Sequence, residues 1–286
     1  MTIDIAVVGA GQMGVGVALC FARAGHRVTV VDPSDEARAG APARLRQGLR
    51  HAALARRERV DFEEVGARIT WTADLGGAGG AGFVVECATE RQELKEDLFR
   101  GLDKICGPET ILASCTSAIP IASLAAVTAR ADRVLGTHFM NPAPVKPAVE
   151  VIRGRATGDD TLQRTLDLLG AIGKSPIVVA DAPGFVTNRV LMLTINEAAA
   201  VVHEGTAAPD VVDRIFRECF GHPTGPLATA DLIGLDTVVD TLIVLYDHTG
   251  DARFTPCPLL LELVAAGRTG RKRSAGFHTY PLAALS

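Results

Sequence analysis

The sequence predicts two parts: an α/β domain on a mostly parallel sheet, then an all-α domain. Three observations carry this. A glycine-rich turn joins an apolar run to a helical pattern near the amino terminus. Strand-length apolar runs then alternate with helical patterns as far as residue 180. Beyond Pro183-Gly184 the apolar residues recur only at helical spacing. The expected domains are therefore 1–183 and 184–286.

Composition narrows the class. Of 286 residues, 48% are hydrophobic and 22% charged, as in a globular chain with a sizeable core. The net charge of -4 offers no basic field for nucleic acid or an anionic membrane. No apolar stretch reaches the ~18 residues of a membrane span. "MTIDIAVVGA" enters a strand at once, so no signal or transit peptide is expected. The six cysteines show no framework spacing and no C-x-x-C pair. They read as free thiols in a reducing cytoplasm, and no metal is assigned.

The first elements are strand, turn, helix, strand. Ile3 to Val8 is a short apolar run, and Gly9, Gly11 and Gly14 follow in G-x-G-x-x-G spacing around Gln12 and Met13. Met13, Val17, Cys20 and Phe21 then recur at helical spacing, and Gly25 ends the helix. "RVTVVD" is the second strand and closes on Asp32. The glycines provide a tight turn, close backbone approach to a pyrophosphate, and close helix packing. The helix N-terminus adds free N–H groups and a partial positive charge. A bare glycine motif is weak evidence. Here the flanking strand, helix and second strand, with an acid roughly 20 residues on, select a Rossmann-type dinucleotide site. An acid at that strand end bonds a ribose 2′-hydroxyl and repels a 2′-phosphate, which favours NAD. Arg38 is the nearest arginine that could argue otherwise.

Residues 41–68 are basic and helical in character. They read either as a solvated helical hairpin or as a clamp for a phosphate-bearing substrate handle, with Arg56, Arg57 and Arg59 as candidates. Strand signals follow at 82–88, 110–114, 133–139, 148–152 and 175–180. Ligands bind at the carboxyl ends of such strands. Glu90, Ser117 and His138 each stand at or just beyond one.

Six stretches in order carry a resemblance: "GAGQMGVGVA", "VVECATERQELKEDLF", "ASCTSAIPIASLA", "GTHFMNPAPVKPAVEV", "PGFVTNRVLMLTINEA" and "GPLATADLIGLDT". Together they resemble the short-form L-3-hydroxyacyl-CoA (3-hydroxybutyryl-CoA) dehydrogenases, over nearly the whole chain. The resemblance implies a catalytic His138 oriented by Glu150, with Ser117 and Asn188 at the substrate oxygen and Ser117 also at the nicotinamide. It implies Glu90 and Lys95 at the nicotinamide ribose and Asn141 beside the histidine and cofactor. It also implies a homodimer through the helical domain.

The chemistry agrees independently. Oxidising a secondary alcohol with NAD needs a base for the hydroxyl proton, and histidine titrates near neutral pH. A carboxylate on its other ring nitrogen fixes the tautomer and stabilises the imidazolium. Hydroxyl and amide donors stabilise charge on the reacting oxygen. Taken singly, each residue has a blander reading. His138 is a packed strand-end residue, Glu150 a strand-edge charge, Ser117 and Thr116 caps of a helix near Pro120, and Asn188 an early-turn residue. Their joint occurrence with a nucleotide loop selects catalysis.

After Pro183-Gly184 a long apolar helix is expected, then helices near 209–219, 231–248 and 258–266. "GHPTGPLATAD" reads as a turn into the third of these. The apolar faces "VLMLTIN" and "DTLIVLY" exceed what a small helical domain can bury, which again predicts a homodimer. The basic tail "GRTGRKRSAGFHTY" reads as lying over the other domain or as a solvated end.

Two positions depart from the family near the expected site. Cys115 stands where S-N-T-S has asparagine, and Arg91 follows Glu90 where V-E-N is usual. "HFMNPAPVKPAVEVI", "LMLTINEA", "DLIGLDT" and "PCPLL" resemble the subgroup that oxidises glyceryl-carrier protein for polyketide extender units. Acyl-CoA and acyl carrier protein thus both stand as substrates. A sugar-acid dehydrogenase resembling L-gulonate 3-dehydrogenase and a non-catalytic NAD-binding protein are the alternatives from other classes.

Overall fold

The computed structural model describes residues 2–56 and 61–281. Arg57 and Arg59 lie outside the described residues, as does the side chain of Arg56. The chain forms two compact units, Met1–Ala182 and Pro183–Ser286.

The first unit opens with β1 (Ile5–Val8), α1 (Gln12–Arg23) and β2 (Val28–Val31). A long α2 (Asp35–Arg56) and a short α3 (Phe62–Gly66) lead to β3 (Ile69–Thr72). Then come β4 (Phe83–Glu86), α4 (Gln92–Ile105), β5 (Ile111–Ser114) and α5 (Ile121–Ala126). The unit ends with β6 (Val134–Phe139), β7 (Ala148–Arg153), α6 (Asp159–Ala171) and β8 (Ser175–Ala180). Among the described residues these strands form one sheet in the order β3-β2-β1-β4-β5-β6-β7-β8. Strands β1, β4 and β5 are buried at every position, as in a parallel sheet covered on both faces. Phe21, Phe83 and Leu19 are fully buried there, each contributing about 1.5–3 kcal/mol.

Every pairing is parallel except β6 with β7. The connection explains the exception. Residues 140–147 are too few for a parallel crossover, which needs about a dozen or more. The chain must turn back, and this places His138 directly opposite Glu150.

Two features of this unit differ from the sequence pattern. The basic helix starts at Asp35 rather than at 41, with Asp35 and Glu36 favourably placed in its first turn. Strand β3 forms where the sequence carries no strand signal. It is short and borders the sheet beyond β2, and only Ile69 is buried, so "ITWT" shows no apolar run.

The second unit is helical: α7 (Thr187–His203), α8 (Pro209–Phe220), α9 (Pro226–Ile233), α10 (Leu235–Thr249) and α11 (Pro258–Ala265). Its core gathers Met192, Ile195, Leu227, Leu242, Leu245, Phe254 and Leu260. The expected turn "GHPTGPLATAD" contains the start of α9, and the expected helix 231–248 is broken at Gly234. Gly234 has φ 105, a conformation closed to most residues, so the helix cannot run through it. The basic tail folds back on its own unit, with Arg271, Lys272 and Arg273 exposed and Phe277 buried. Asp231 accepts hydrogen bonds from Phe277 N, His278 N and Tyr280 Oη, each at 2.9 Å. Asp213 accepts from Leu227 N and Ala228 N in the first turn of α9, and pairs with His278 Nε2 at 2.7 Å. Both aspartates are about 1% exposed, so the tail satisfies carboxylates that would otherwise be buried without partners.

Candidate active site

The glycine loop follows β1. Gly9 has φ 109, and a Cβ there would lie 2.7 Å from the Cys87 carbonyl oxygen. A Cβ at Gly14 would lie 1.9 Å from the Gly9 oxygen. These two glycines serve the turn and the packing of α1. A Cβ at Gly11 would meet nothing within 4 Å, so the space a side chain would fill is open above the loop. Gln12 and Met13 begin α1, whose first turn carries no acid. Asp32, just past β2, accepts from Ala10 N at 2.7 Å and Ser34 N at 2.9 Å. Its carboxylate pins the loop and keeps further acceptor capacity. Arg38 donates to the Asp32 carbonyl oxygen and pairs with Asp35.

His138 and Glu150 meet across β6 and β7. Nδ1 of His138 donates to Oε2 of Glu150 at 2.8 Å, with the residues 7% and 5% exposed. That bond leaves Nε2 for acid–base work, and Ser117 Oγ lies 3.2 Å from it. Ser117 is positioned by Glu90, whose Oε1 accepts from Ser117 N at 2.8 Å, Ala118 N at 3.1 Å and Thr116 Oγ1 at 2.5 Å. Glu90 Oε2 lies 3.4 Å from Lys95 Nζ.

Lys95 is fully buried, and its ammonium donates to Glu86 Oε1 at 2.7 Å, Glu86 Oε2 at 2.9 Å and the Ala88 carbonyl at 3.2 Å. Burial works against its charge, but the attraction of Glu86 and then Glu90 outweighs it and raises the pKa. Its donors face Glu86 as well as Glu90, so the expected ribose partner is also a structural cation. Glu86 also accepts from Ser114 Oγ at 2.6 Å and Ala88 N at 2.6 Å. A polar network therefore runs beneath the strand ends from Glu86 through Lys95 and Glu90 to Ser117, His138 and Glu150.

Ser117 and Thr116 do not cap α5. Thr116 Oγ1 accepts from Ile119 N at 2.9 Å, closing its own turn. The first amides of α5 are held by Asp181, with Ile121 N at 3.0 Å and Ala122 N at 2.8 Å. Asn141 lies in the β6–β7 connection and lines a small cleft with Gln12, Arg44 and His51. Asn188 sits in the first turn of α7, in the helical unit. Glu86, Ser114 and Asp181 belong to this network and its supports but carry no motif. The available signal for Glu86 was an acid closing an otherwise apolar strand, "FVVE".

The family of the 3-hydroxyacyl-CoA dehydrogenase NAD-binding domain matches residues 4–182, and that of its C-terminal domain matches residues 184–280. The chain belongs to the 3-hydroxyacyl-CoA dehydrogenase family. It is 45% identical over 278 residues to a Bacillus subtilis protein named "Probable 3-hydroxybutyryl-CoA dehydrogenase", covering 97% of each chain. It is 39% identical to a Bradyrhizobium diazoefficiens 3-hydroxybutyryl-CoA dehydrogenase, covering 96% of this chain and 94% of the other. Among solved structures, (S)-3-hydroxybutyryl-CoA dehydrogenase PaaH1 from Ralstonia eutropha aligns with TM-score 0.90 and 41% identity, over 98% of this chain and 100% of that one. This 3-hydroxyacyl-CoA dehydrogenase family member is an NAD-dependent oxidoreductase, and its glycine loop and Asp32 fit the dinucleotide. Among the described residues, no helix is long and apolar enough to cross a membrane. No group of three or more His, Cys, Asp or Glu among them could hold a metal ion.

Proposed function

We propose that the protein oxidises the 3-hydroxyl of a short L-3-hydroxyacyl thioester, of the 3-hydroxybutyryl-CoA type, to the 3-oxo thioester. The observation that carries this is the ordered series Ser117 Oγ, His138 and Glu150, at 3.2 Å and 2.8 Å. His138 Nε2 takes the hydroxyl proton as general base and returns it in the reverse direction. Glu150 holds Nδ1–H and stabilises the imidazolium that results. A substrate hydroxyl reaching Nε2 also reaches Ser117 Oγ, which steadies charge on that oxygen. Gly9, Gly11, Gln12, Met13, Gly14 and Asp32 hold NAD, with Glu90, Lys95 and Asn141 on the nicotinamide side. NAD supplies the hydride acceptor.

Asn188 is assigned to the substrate oxygen and Arg56, Arg57 and Arg59 to the phosphates of the handle. Alanine at Asn188 lowers kcat, and alanines at the three arginines raise KM with kcat unchanged. The exposed apolar side chains Val190, Phe220 and Leu232 support a homodimer through the helical unit, read by sedimentation. Six free cysteines support a cytoplasmic setting.

One observation favours a second substrate. Arg91, beside Glu90, puts a charge where asparagine is usual, suited to a more polar acyl group such as glyceryl on a carrier protein. NADH formation with L-3-hydroxybutyryl-CoA and glyceryl-carrier protein, side by side, decides. Turnover of the CoA ester supports the first reading, and turnover of the carrier-bound group alone replaces it with the second. Silence on both, with NADH still bound, overturns both.

A further inference from the structure

Two thiols in this site have no part in the proposed chemistry. Glu86 and Ser114 are register partners in the parallel pair β4–β5, and the next residue on each strand is a cysteine. Cys115 N donates to the Glu86 carbonyl at 2.7 Å, continuing the ladder to that level. Cys87 and Cys115 are therefore neighbours on one face of the sheet. Both side chains pack against the same hydrophobic core. Both residues are half-buried rather than sealed, and neither is in a disulfide.

The surroundings of the pair matter. The Cys87 backbone underlies the glycine turn, since a Cβ at Gly9 would lie 2.7 Å from its carbonyl oxygen. Its own Cβ is 3.5 Å from where a Cβ of Gly14 would stand. On the other side, Cys115 follows Ser114, whose register partner Gly136 lies on β6, the strand that carries His138. Ser117 lies two residues beyond Cys115. The pair thus lies between the cofactor loop and the acid–base histidine.

We infer that Cys87 and Cys115 form a redox-active dithiol, which a peroxide closes to a disulfide that lowers turnover. The two thiols are unequal, as such a pair requires. The neighbouring Cys87 thiol, then His138, the Phe139 amide and Lys95, favour the thiolate of Cys115 over the opposing burial and lower its pKa. The neighbouring Cys115 sulfur first, and burial second, raise that of Cys87. Cys115 is therefore the attacking thiolate and Cys87 the resolving thiol. The Cys115 sulfur attacks one peroxide oxygen, the O–O bond breaks, and the departing hydroxide takes a proton to become water. The Cys87 sulfur then attacks the resulting sulfenic sulfur, and the S–O bond breaks. The second water leaves with the Cys87 proton. Two electrons and two protons pass from the thiols to the peroxide.

Closure has a geometric consequence. Neighbouring strands stand about 4.8 Å apart, whereas the Cβ atoms of a disulfide stand about 3.8 Å apart. The strands already stand within the Cα range of a disulfide, so closure turns the two side chains toward each other by about 1 Å at the Cβ atoms, beneath the glycine loop and beside Ser117. Displacement on that scale at a catalytic site costs as much as about 100-fold in rate.

The test treats the full chain with hydrogen peroxide and reads three quantities: intact mass, mapped thiol labelling and NADH-forming turnover. The expected result is a loss of about 2 Da per chain, assigned to Cys87–Cys115, with turnover down about 10- to 100-fold and restored by dithiothreitol. Cys87→Ser is expected to keep its untreated turnover and resist peroxide. A bond mapped to other cysteines, an unchanged mass, or equal inactivation of Cys87→Ser overturns the proposal. A mapped Cys87–Cys115 bond with unchanged turnover overturns the effect on catalysis. The loss of turnover rests on the proposed dehydrogenase reading, but the mass and labelling do not, so the two failures are separable.

Discussion

Replacing Glu150 by glutamine tests the acid–base pair at its most quantitative point. The carboxylate oxygen is 2.8 Å from Nδ1, and both residues are almost buried. The substitution keeps the shape and one neutral hydrogen bond but removes the charge facing the imidazolium. With charge centres about 4 Å apart and an effective dielectric near 20, that attraction is about 4 kcal/mol. The retained neutral bond offsets about 1 kcal/mol. The remaining ~3 kcal/mol corresponds to a fall in kcat of about 100-fold. The assay is steady-state NADH formation at saturating L-3-hydroxybutyryl-CoA, with NADH binding and the melting midpoint measured alongside. A kcat within about threefold of wild type, in a folded variant that binds NADH, refutes the electrostatic role of Glu150.

The other expectations are simpler to state. His138→Gln lowers kcat at least ~10³-fold with NADH binding kept, and turnover within about tenfold of wild type removes His138 as the base. Lys95→Met leaves Glu86 buried and unpaired and destabilises the protein by about 3–5 kcal/mol in denaturant titrations, whereas a change below about 1 kcal/mol contradicts the buried pair. Burial and then the Asp231 hydrogen bond push the Tyr280 pKa up to about 12 from 10.0. Folding therefore favours the neutral phenol; this stability is full below pH 10 and lost as pH rises through about 12. The melting midpoint of wild type falls across that window more steeply than that of Tyr280→Phe, and parallel curves count against the Asp231 contact.

Local pattern made much of the fold and part of the site legible. The glycine spacing, the helix behind it and Asp32 are adjacent in the chain, so their meaning survives without tertiary context. The same holds for alternating strands and helices, because buried parallel strands read as continuous apolar runs. Strand β3 escaped because a short strand at the sheet's border, exposed or half-buried at three of its four residues, has no such run. The start of α9 escaped because Pro, Gly and Thr ahead of it read as turn residues, whereas Pro226 occupies a first helical position.

The remaining features depend on partners distant in sequence. Asp181 holds the first turn of α5 from about 60 residues away, and Asp213 and Asp231 tie down the tail from still other helices. Such pairings leave no periodic trace, because they are chosen by burial of a charge that must find a donor. The sequence by itself determined the nucleotide loop, the two-part architecture, and the residue types able to run the chemistry. Only the tertiary structure decided that His138 stands opposite Glu150, that Glu90 aims Ser117, and that Cys87 stands beside Cys115. The physical reason is common to all three: a short connection forces one antiparallel turn, and parallel register sets the strand ends side by side.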